Sequence, residues 1–182
     1  MSLQLLQLVQ LSICCFATYC VFTNSYLDLC SYIVGCVCSI DIILDIMNIK
    51  KLKIDMFLHH VFAIGIVCFS FMYNNDHYER LNLIRNELMA EISSIFLILM
   101  KLVPRRILLN YCIRILFLIT FIYTRLYNYP KNIIFSTSVN RFIFSVTRNN
   151  FDLFFVYLCI YGLYMTNIYW TYLIVQKLFV KK

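Results

Sequence analysis

The sequence predicts an all-α integral membrane protein, a bundle of about six transmembrane helices with both termini in the cytosol. Three observations support this fold class. Of the 182 residues, 62% are hydrophobic and only 14% are charged, against about 45–50% and about 25% in ordinary soluble domains. The apolar residues fall into runs close to the length of about 20 residues that crosses a bilayer as a helix. The positive charges divide unequally between alternate loops.

Six apolar segments follow one another along the chain. The predicted spans are residues 5–22, 29–47, 56–73, 87–103, 107–127 and 151–178. The fourth span is shorter and more polar than the others, whereas the last two are strongly apolar. Pro104 and Pro130 fall just outside the predicted helices, where proline is tolerated. Residues 131–150 are predicted to form the one long, non-cytosolic loop, and residues 1–182 a single transmembrane domain.

The charges of the loops indicate the orientation, because Lys and Arg concentrate in short cytoplasmic loops. With six spans, one side of the membrane carries nine bases and, near them, only one acid, Asp55. The bases are Lys50, Lys51, Lys53, Lys101, Arg105, Arg106, Lys177, Lys181 and Lys182. The other side carries both signs and has a net charge close to zero. Its charged residues are Arg80, Arg85, Lys131, Arg141, Arg148, Asp28, Asp76, Glu79, Glu87 and Asp152. This asymmetry predicts cytosolic termini. It also explains the net charge of +7 together with attraction to anionic lipids, so no nucleic-acid partner is expected.

The nine cysteines and three glycines exclude several kinds of site. The cysteines lie mostly inside spans, with no C-x-x-C pair and no histidine at zinc spacing, so no metal site is expected. Three glycines leave no Gly-rich phosphate loop, and no cofactor is expected. The N-terminal MSLQLLQLVQ lacks the positive region and cleavage site of a secretory signal, which predicts a retained first span.

Polar residues at membrane depth are the candidate site, because a charge near the centre of a spanning helix costs about 2.5–3.5 kcal/mol. Asp41 and Asp45 lie one helical turn apart near the cytosolic end of the second span. His59 and His60 lie just inside the same boundary of the third span. Adjacent residues diverge by about 100° around a helix, so one imidazole is expected to face the bundle and the other a neighbouring helix.

Other spans bring polar residues towards this cluster. Arg114 enters the fifth span from the cytosolic end, Asn167 lies on the cytosolic half of the sixth, and Trp170 lies nearer the interface. We expect them to share one cavity with the acids and histidines. On the opposite half, Glu91 and Arg125 are candidate buried partners, and an ion pair between them would offset part of the insertion cost.

Structural interpretations of these residues remain open beside the functional one. Asp45 lies close enough to Lys50 and Lys53 to be an interfacial charge in water, and an intramembrane histidine commonly donates a hydrogen bond between helices. In the functional interpretation, an imidazole supported by an aspartate serves as general base or nucleophile in acyl transfer. Such a site would suit an amphiphile whose head group stays near water.

The segment KIDMFLHHVFAIG follows a predicted helix that bears acids. It resembles the paired-histidine region of the TLC-domain family, the membrane fold shared by ceramide synthases, translocation-associated membrane proteins and small TLC-domain proteins. LMAEISSIF, FIYTRLYNYP and LYMTNIYWTYLIVQKL resemble, in order, the Ala-Glu-Leu-Ser/Thr segment, the Arg-containing fifth span followed by Pro, and the closing Asn-x-x-Trp helix of the small TLC-domain proteins. With the acid-bearing helix before the first of them, the four segments are distributed along residues 28–178.

The resemblance implies a TLC-domain-like bundle of six helices around a lipid-sized cavity. It also implies a difference from the synthases, which carry a second His-Asp motif on the helix after the paired histidines. At the corresponding position this chain has only Glu91, amid Ile, Ser and Phe. Glu91, Arg125, Asn167 and Trp170 match the non-synthase branch, in which they would be structural or contact lipid.

The expected function is therefore to bind, transport or regulate membrane lipid, in the endoplasmic reticulum or a related endomembrane. One alternative is a ceramide-synthase-like N-acyltransferase, with acyl-CoA as co-substrate and a long-chain amine as acceptor. In that enzyme His59 or His60 would be base or nucleophile, oriented by Asp41 or Asp45. A lower alternative is a proton or ion pathway along the intramembrane acids, although no inverted repeat supports it. The oligomeric state stays open.

Overall fold

The computed structural model describes residues 3–47, 53–72, 77–104 and 108–179. Within these ranges the chain is helical and contains no strand. The helices are α1 (Leu3–Thr23), α2 (Leu27–Met47), α3 (Ile54–Met72), α4 (His77–Leu88), α5 (Glu91–Leu102), α6 (Leu108–Phe121), α7 (Thr137–Val146) and α8 (Asn150–Phe179). Two π-helical segments, Ile122–Asn128 and Pro130–Ile134, continue α6. The predicted loop charges at 50, 51, 105, 106, 181 and 182 lie outside the described residues.

Four helical stretches are long and apolar enough to cross a membrane. They are Leu27–Leu44, Ile54–Met72, Leu108–Ile134 and Asn150–Gln176, and a shorter apolar helix covers Gln7–Thr23. A helix rises about 1.5 Å per residue, so 20 residues span the hydrocarbon core of roughly 30 Å. The all-helical membrane fold class is thus confirmed. The count of six spans and the cytosolic position of both termini stay predictions.

The fourth predicted span, 87–103, is divided in two. α4 ends at Leu88 and α5 begins at Glu91, with a turn between them in which the N–H of Ala90 donates to the carbonyl of Glu87 at 3.0 Å. The 12 residues of α5 rise roughly 18 Å, too little to cross the hydrocarbon alone. α4 was missed as a helix because its sequence, HYERLNLIRNEL, is polar and an apolar-run search passes over it.

The predicted long loop at 131–150 contains helix instead. Pro130 begins the second π-helical segment, and the side chain of Ser136 accepts a hydrogen bond from the N–H of Val139 at 3.4 Å, capping α7. Only one face of α7 is apolar, so the segment shows no continuous hydrophobic run. An amphipathic helix of 10 residues is therefore invisible to a criterion of about 20 apolar residues.

The long helices close into a ring. α1 packs against α2, α2 against α3, α3 against α8, α8 against the π-helical continuation of α6, α6 against α5, and α5 against α1. α3 and α8 approach closely because glycines lie at their contact: a Cβ on Gly65 would overlap the Sγ of Cys159, and one on Gly162 would lie 2.6 Å from ring atoms of Phe62. α4 and α7 pack against one another and against the ring.

Candidate polar site inside the helix ring

Arg125 lies at the centre of the polar interior. It sits in the first π-helical segment, whose wide turn is closed by the N–H of Tyr129 donating to the carbonyl of Thr124; π-helical turns recur at functional sites. Its side chain is buried. Nε donates to Ser93 Oγ at 3.0 Å, Nη1 to Asn167 Oδ1 at 3.1 Å, and Nη2 to Ser94 Oγ at 3.3 Å. One guanidinium thus joins the α6 continuation, α5 and α8.

The same guanidinium meets the break between α4 and α5. Nη2 of Arg125 also lies 3.4 Å from the carbonyl oxygen of Ala90, which accepts from the N–H of Ser93 at 3.2 Å and from its hydroxyl at 2.8 Å. A helix end leaves carbonyls that need partners, and in hydrocarbon an unpaired one costs several kcal/mol. The arginine therefore helps to satisfy the backbone where the chain changes direction.

Trp170 lies between Arg125 and His59. The guanidinium carbon of Arg125 is 5.8 Å from the Trp170 ring centroid, within the range of a cation–π contact. The His59 imidazole contacts the indole with ring centroids 4.6 Å apart. Trp170 Nε1 donates to Asp55 Oδ2 at 2.7 Å, which fixes α8 against the beginning of α3. The Asn-x-x-Trp segment thus contributes both of its named residues to one cluster.

A small cavity lies beside this cluster inside the ring. The space open to the centre of a water molecule is about 30 Å³, enough for one or two waters. The lining side chains with polar or ionisable groups are Ser31, Cys38, His59, Glu87, Glu91, Arg125, Tyr129 and Asn167. The interior space that these described residues line is therefore smaller than the lipid-sized cavity that the resemblance implied.

The expected ion pair between Glu91 and Arg125 is not formed. Both residues line the cavity, but Glu91 Oε2 accepts a hydrogen bond from Cys14 Sγ at 3.3 Å. Ser93, Ser94 and Asn167 take the arginine donors instead. Within the described part of the chain no ion pair joins Glu91 and Arg125. Hydroxyl and amide oxygens accept the hydrogen bonds of the guanidinium. The Glu91 carboxylate therefore interacts with Arg125 only electrostatically, at a distance longer than that of an ion pair.

The paired histidines diverge as their helical spacing requires. His59 lines the cavity, whereas His60 Nε2 faces Asp41 Oδ2 on α2 at 3.9 Å. The ring centroids of the two imidazoles are 5.8 Å apart. The Nδ1 atoms of both are buried without a hydrogen-bond partner among the described residues. Asp41 and His60 thus lie next to the cavity and not on its wall, and the side chain of Asp45 lies outside the described part of the structure.

Arg114 does not join the expected cluster. Its side chain is exposed, and Nε donates to Asn110 Oδ1 at 2.8 Å. Asn110 is fully buried and donates to the carbonyls of Met100 at 3.2 Å and Val103 at 2.8 Å, at the end of α5. Arg114 lies one turn after Asn110 on α6, and its side chain extends to the exposed surface while its Nε is bonded to the buried amide. Asn110, which the sequence interpretation did not select, is the residue that joins this end of α6 to α5 by hydrogen bonds.

Two further interactions escaped the sequence interpretation. Glu87, counted among the loop charges, lines the interior cavity one turn before Glu91. Arg80 is buried and forms a two-bond ion pair with Asp28, at 2.6 Å and 2.9 Å, between α4 and the beginning of α2. The missed helix α4 explains both, since residues assigned to a loop were assumed to lie in water.

No group of three metal-ligating side chains occurs among residues 3–47, 53–72, 77–104 and 108–179. The polar groups of the interior can bind by hydrogen bonds and charge: Arg125 is engaged by oxygen acceptors, whereas Glu87, Glu91 and His59 present an acid pair and an imidazole to the same small space. This arrangement is suited to holding a polar group away from water inside an apolar bundle.

The ring of apolar helices with a polar interior defines a multi-pass integral membrane protein. The family model of the TLC domain matches residues 2–176, nearly the whole chain. The chain therefore belongs to the TLC-domain family, as its motifs predicted, and its function relates to membrane lipid. Neither the comparison with curated proteins nor the comparison with solved structures gave a match.

Proposed function

We propose that this protein binds membrane lipid and through that binding transports lipid or regulates lipid composition. One observation carries the proposal: a polar cluster is enclosed by helices whose outer surfaces are apolar. In it, the buried Arg125 and Asn167 lie with the half-buried Trp170 and His59. Polar groups at this depth are expensive in hydrocarbon and mark functional positions. The lipid-related family supplies the class of ligand.

The ligand would present its head group to the cavity lined by His59, Glu87 and Glu91. The space of about 30 Å³ accepts a small polar group and no acyl chain, so the chains would lie against apolar surface between helices. Admission of a larger head group requires the ring to widen. The turn between α4 and α5, which borders the cavity at Ala90, is the position at which this can occur without unwinding a helix.

The test is to purify the protein in lipid nanodiscs and to identify retained lipids by native mass spectrometry. His59→Ala and Glu87→Gln, which alter the cavity wall, are expected to lower the occupancy of a specific lipid. Arg114→Gln is the matched control, because Arg114 is polar but faces away from the cavity. Equal retention of every lipid by all three variants and the parent chain would refute specific binding at this site.

An acyltransferase remains the second candidate because His60 faces Asp41 at 3.9 Å. In this reaction the imidazole would take a proton from a long-chain amine. The amine nitrogen would attack the thioester carbonyl of acyl-CoA, and CoA would leave as the thiol. His60→Ala is expected to abolish any acyl-CoA-dependent N-acylation. Turnover undetectable in the parent protein, with lipid bound, would exclude the enzyme and leave the binding proposal intact.

The proposal includes an orientation and a compartment. Both termini would face the cytosol, in accordance with the charge asymmetry of the loops. The membrane would be that of the endoplasmic reticulum or a related endomembrane. Protease protection of tags at each end, in sealed microsomes, tests the orientation. Digestion of both tags without detergent is expected, and protection of either tag would contradict it.

A further inference from the structure

The short helix α7 has two opposite faces. Val139, Phe142 and Ile143, spaced as neighbours on one side of a helix, are buried in the core between α3, α4 and α8. Arg141 and Phe144 project from the opposite side and are exposed. The helix therefore presents a mixed basic and aromatic face outwards, at the end of the bundle where the α6 continuation ends and α8 begins.

Hydrogen bonds hold this face in one orientation. Asn140 Nδ2 donates to the carbonyl of Ile134 at 2.9 Å, and Tyr157 Oη on α8 donates to Asn140 Oδ1 at 2.8 Å. Ser136 caps the first turn. One face of α7 is buried, and Asn140 and Ser136 hold the helix by hydrogen bonds. α7 therefore cannot rotate to bury its exposed face, and that face contacts whatever surrounds the protein.

Aromatic residues extend the exposed face on both sides of α7. Phe135 is 76% exposed, Phe144 61% and Phe151 73%. Beyond Phe151, the outward side of α8 continues with exposed Phe154 and Leu158, part of the apolar surface that a spanning helix offers to lipid. Phe151 is therefore continuous with the membrane-facing side of α8, and Phe144 packs against Tyr157 of the same helix with ring centroids 6.0 Å apart. Aromatic rings at the margin of such a surface are typical of the head-group layer.

Basic groups lie among these rings. Arg141 and Arg148 are exposed and have no hydrogen-bond or ion-pair partner among the described residues. The nearest acid in sequence, Asp152, borders a groove with Gly65 and Cys68 on the side of α3, and Glu79 belongs to the packed helix α4. Lys131 adds a third cation, lying 5.3 Å above the ring of Tyr127. The face is therefore positively charged and aromatic.

We propose that residues 131–151, with α7 at their centre, form an interfacial binding surface for anionic phospholipid head groups. The phenylalanines would enter the boundary between head groups and acyl chains, and Arg141 and Arg148 would pair with lipid phosphate and carboxylate oxygens. This surface lies outside the helix ring, and it does not depend on lipid binding in the interior cavity.

The experiment measures which lipid lies next to position 144. Trp170 is the one tryptophan of the chain, so the double variant Trp170→Phe/Phe144→Trp carries a single probe on α7. The full chain is reconstituted in vesicles of phosphatidylcholine and phosphatidylglycerol, with either lipid brominated. Because one basic residue near a surface contributes about 1 kcal/mol, quenching is expected to show a preference of about fivefold or more for phosphatidylglycerol.

The control probe is Trp170→Phe/Ile119→Trp, since Ile119 is exposed on the outside of α6 away from the charged face. It is expected to show no preference between the lipids. Adding Arg141→Gln and Arg148→Gln to the α7 probe is expected to bring its preference close to that control. Absence of quenching at position 144, or a preference that survives removal of both arginines, would overturn the proposal.

A second measurement leaves Trp170 in place, in case its replacement impairs folding. Native mass spectrometry of the parent chain from mixed nanodiscs counts the phosphatidylglycerol molecules that remain bound. Arg141→Gln/Arg148→Gln is expected to retain fewer, whereas Lys53→Gln/Lys101→Gln, which removes the same charge from exposed positions just before α3 and near the end of α5, retains the parent number. Equal loss from both double variants would contradict a dedicated surface on α7.

Discussion

Arg125 and Asn167, 42 positions apart in sequence, are joined by a hydrogen bond of 3.1 Å between Nη1 and Oδ1. The contact ties the π-helical continuation of α6 to α8 and closes one side of the helix ring. Asn167 is buried, and its side-chain oxygen accepts this hydrogen bond from the charged guanidinium of Arg125. The relationship converts two residues recognised separately in the sequence into one structural unit.

Arg125→Lys is expected to lower the stability of the folded bundle. Lysine keeps the charge but cannot donate in a fixed fork to Ser93, Ser94 and Asn167 together. Hydrogen bonds between membrane helices contribute about 0.6 kcal/mol each on average, so a loss of roughly 1–2 kcal/mol is expected. Thermal unfolding in detergent measures it.

Arg85→Lys is the control for that change, because Arg85 is exposed on α4 and should tolerate the replacement. An Arg125→Lys midpoint equal to that of the control would show that the hydrogen bonds of the guanidinium contribute little. A loss shared by both variants would indicate a general effect of replacing arginine.

Gly65→Ala is expected to destabilise the contact of α3 with α8, because its Cβ would overlap Cys159 Sγ. Overpacking of this kind costs about 1–3 kcal/mol. Cys159→Ala removes the sulfur and leaves the cysteine Cβ position 3.5 Å from the new methyl group. The double variant should therefore regain much of the stability lost by Gly65→Ala.

Unfolding of the two single variants and the double variant, as a mutant cycle, measures this compensation. Additive losses would contradict direct packing of the two positions. Gly35→Ala gives a milder reference, since its Cβ would lie 3.2 Å from Val67 Cγ1 and requires a smaller adjustment.

The sequence was sufficient for the helices that are apolar on all sides. Length and hydropathy identify α2, α3 and α8, and the divergence of His59 from His60 follows from helical geometry alone. The sequence was insufficient where a helix is amphipathic or polar. α7 and α4 are stabilised by burial of one face against other helices, and that burial depends on contacts between residues distant in sequence.

Partner choice was harder to predict than depth. Arg125 was correctly expected to be buried, but its partners are hydroxyl and amide oxygens and not the carboxylate of Glu91. Charge alone suggested an ion pair, whereas the break between α4 and α5 brings Ser93, Ser94 and the carbonyl of Ala90 to the guanidinium. A turn that no apolar pattern marks thus decided the chemistry of the interior.

Asp28→Asn is expected to destabilise the protein by about 1–3 kcal/mol, because it removes the carboxylate that accepts two hydrogen bonds from the buried Arg80. The lower part of this range reflects the 42% exposure of the Asp28 side chain, since water screens an exposed pair. The double variant Asp28→Asn/Arg80→Gln should lose less than the sum of the single losses. Unfolding in detergent measures all three, and strict additivity would contradict a direct interaction.

Asn110→Ala and Arg114→Gln separate a structural position from an exposed one on the same face of α6. Asn110 donates to the carbonyls of Met100 and Val103, so its removal leaves two backbone acceptors at the end of α5 with one partner fewer. Burying an unpaired polar group costs about 1–3 kcal/mol, and a comparable fall in stability is expected for Asn110→Ala. Arg114→Gln should change stability by less than about 0.5 kcal/mol, because the exposed guanidinium can be replaced by water.

The two variants should also differ in helix packing. Loss of the α5 contacts is expected to raise hydrogen exchange at the carboxyl end of α5 in Asn110→Ala and to leave it unchanged in Arg114→Gln. Greater exchange in Arg114→Gln than in Asn110→Ala would mean that the arginine holds this junction. Asn110 is buried at the junction of α5 and α6, whereas the side chain of Arg114 is exposed. The structure therefore predicts greater hydrogen exchange in Asn110→Ala than in Arg114→Gln.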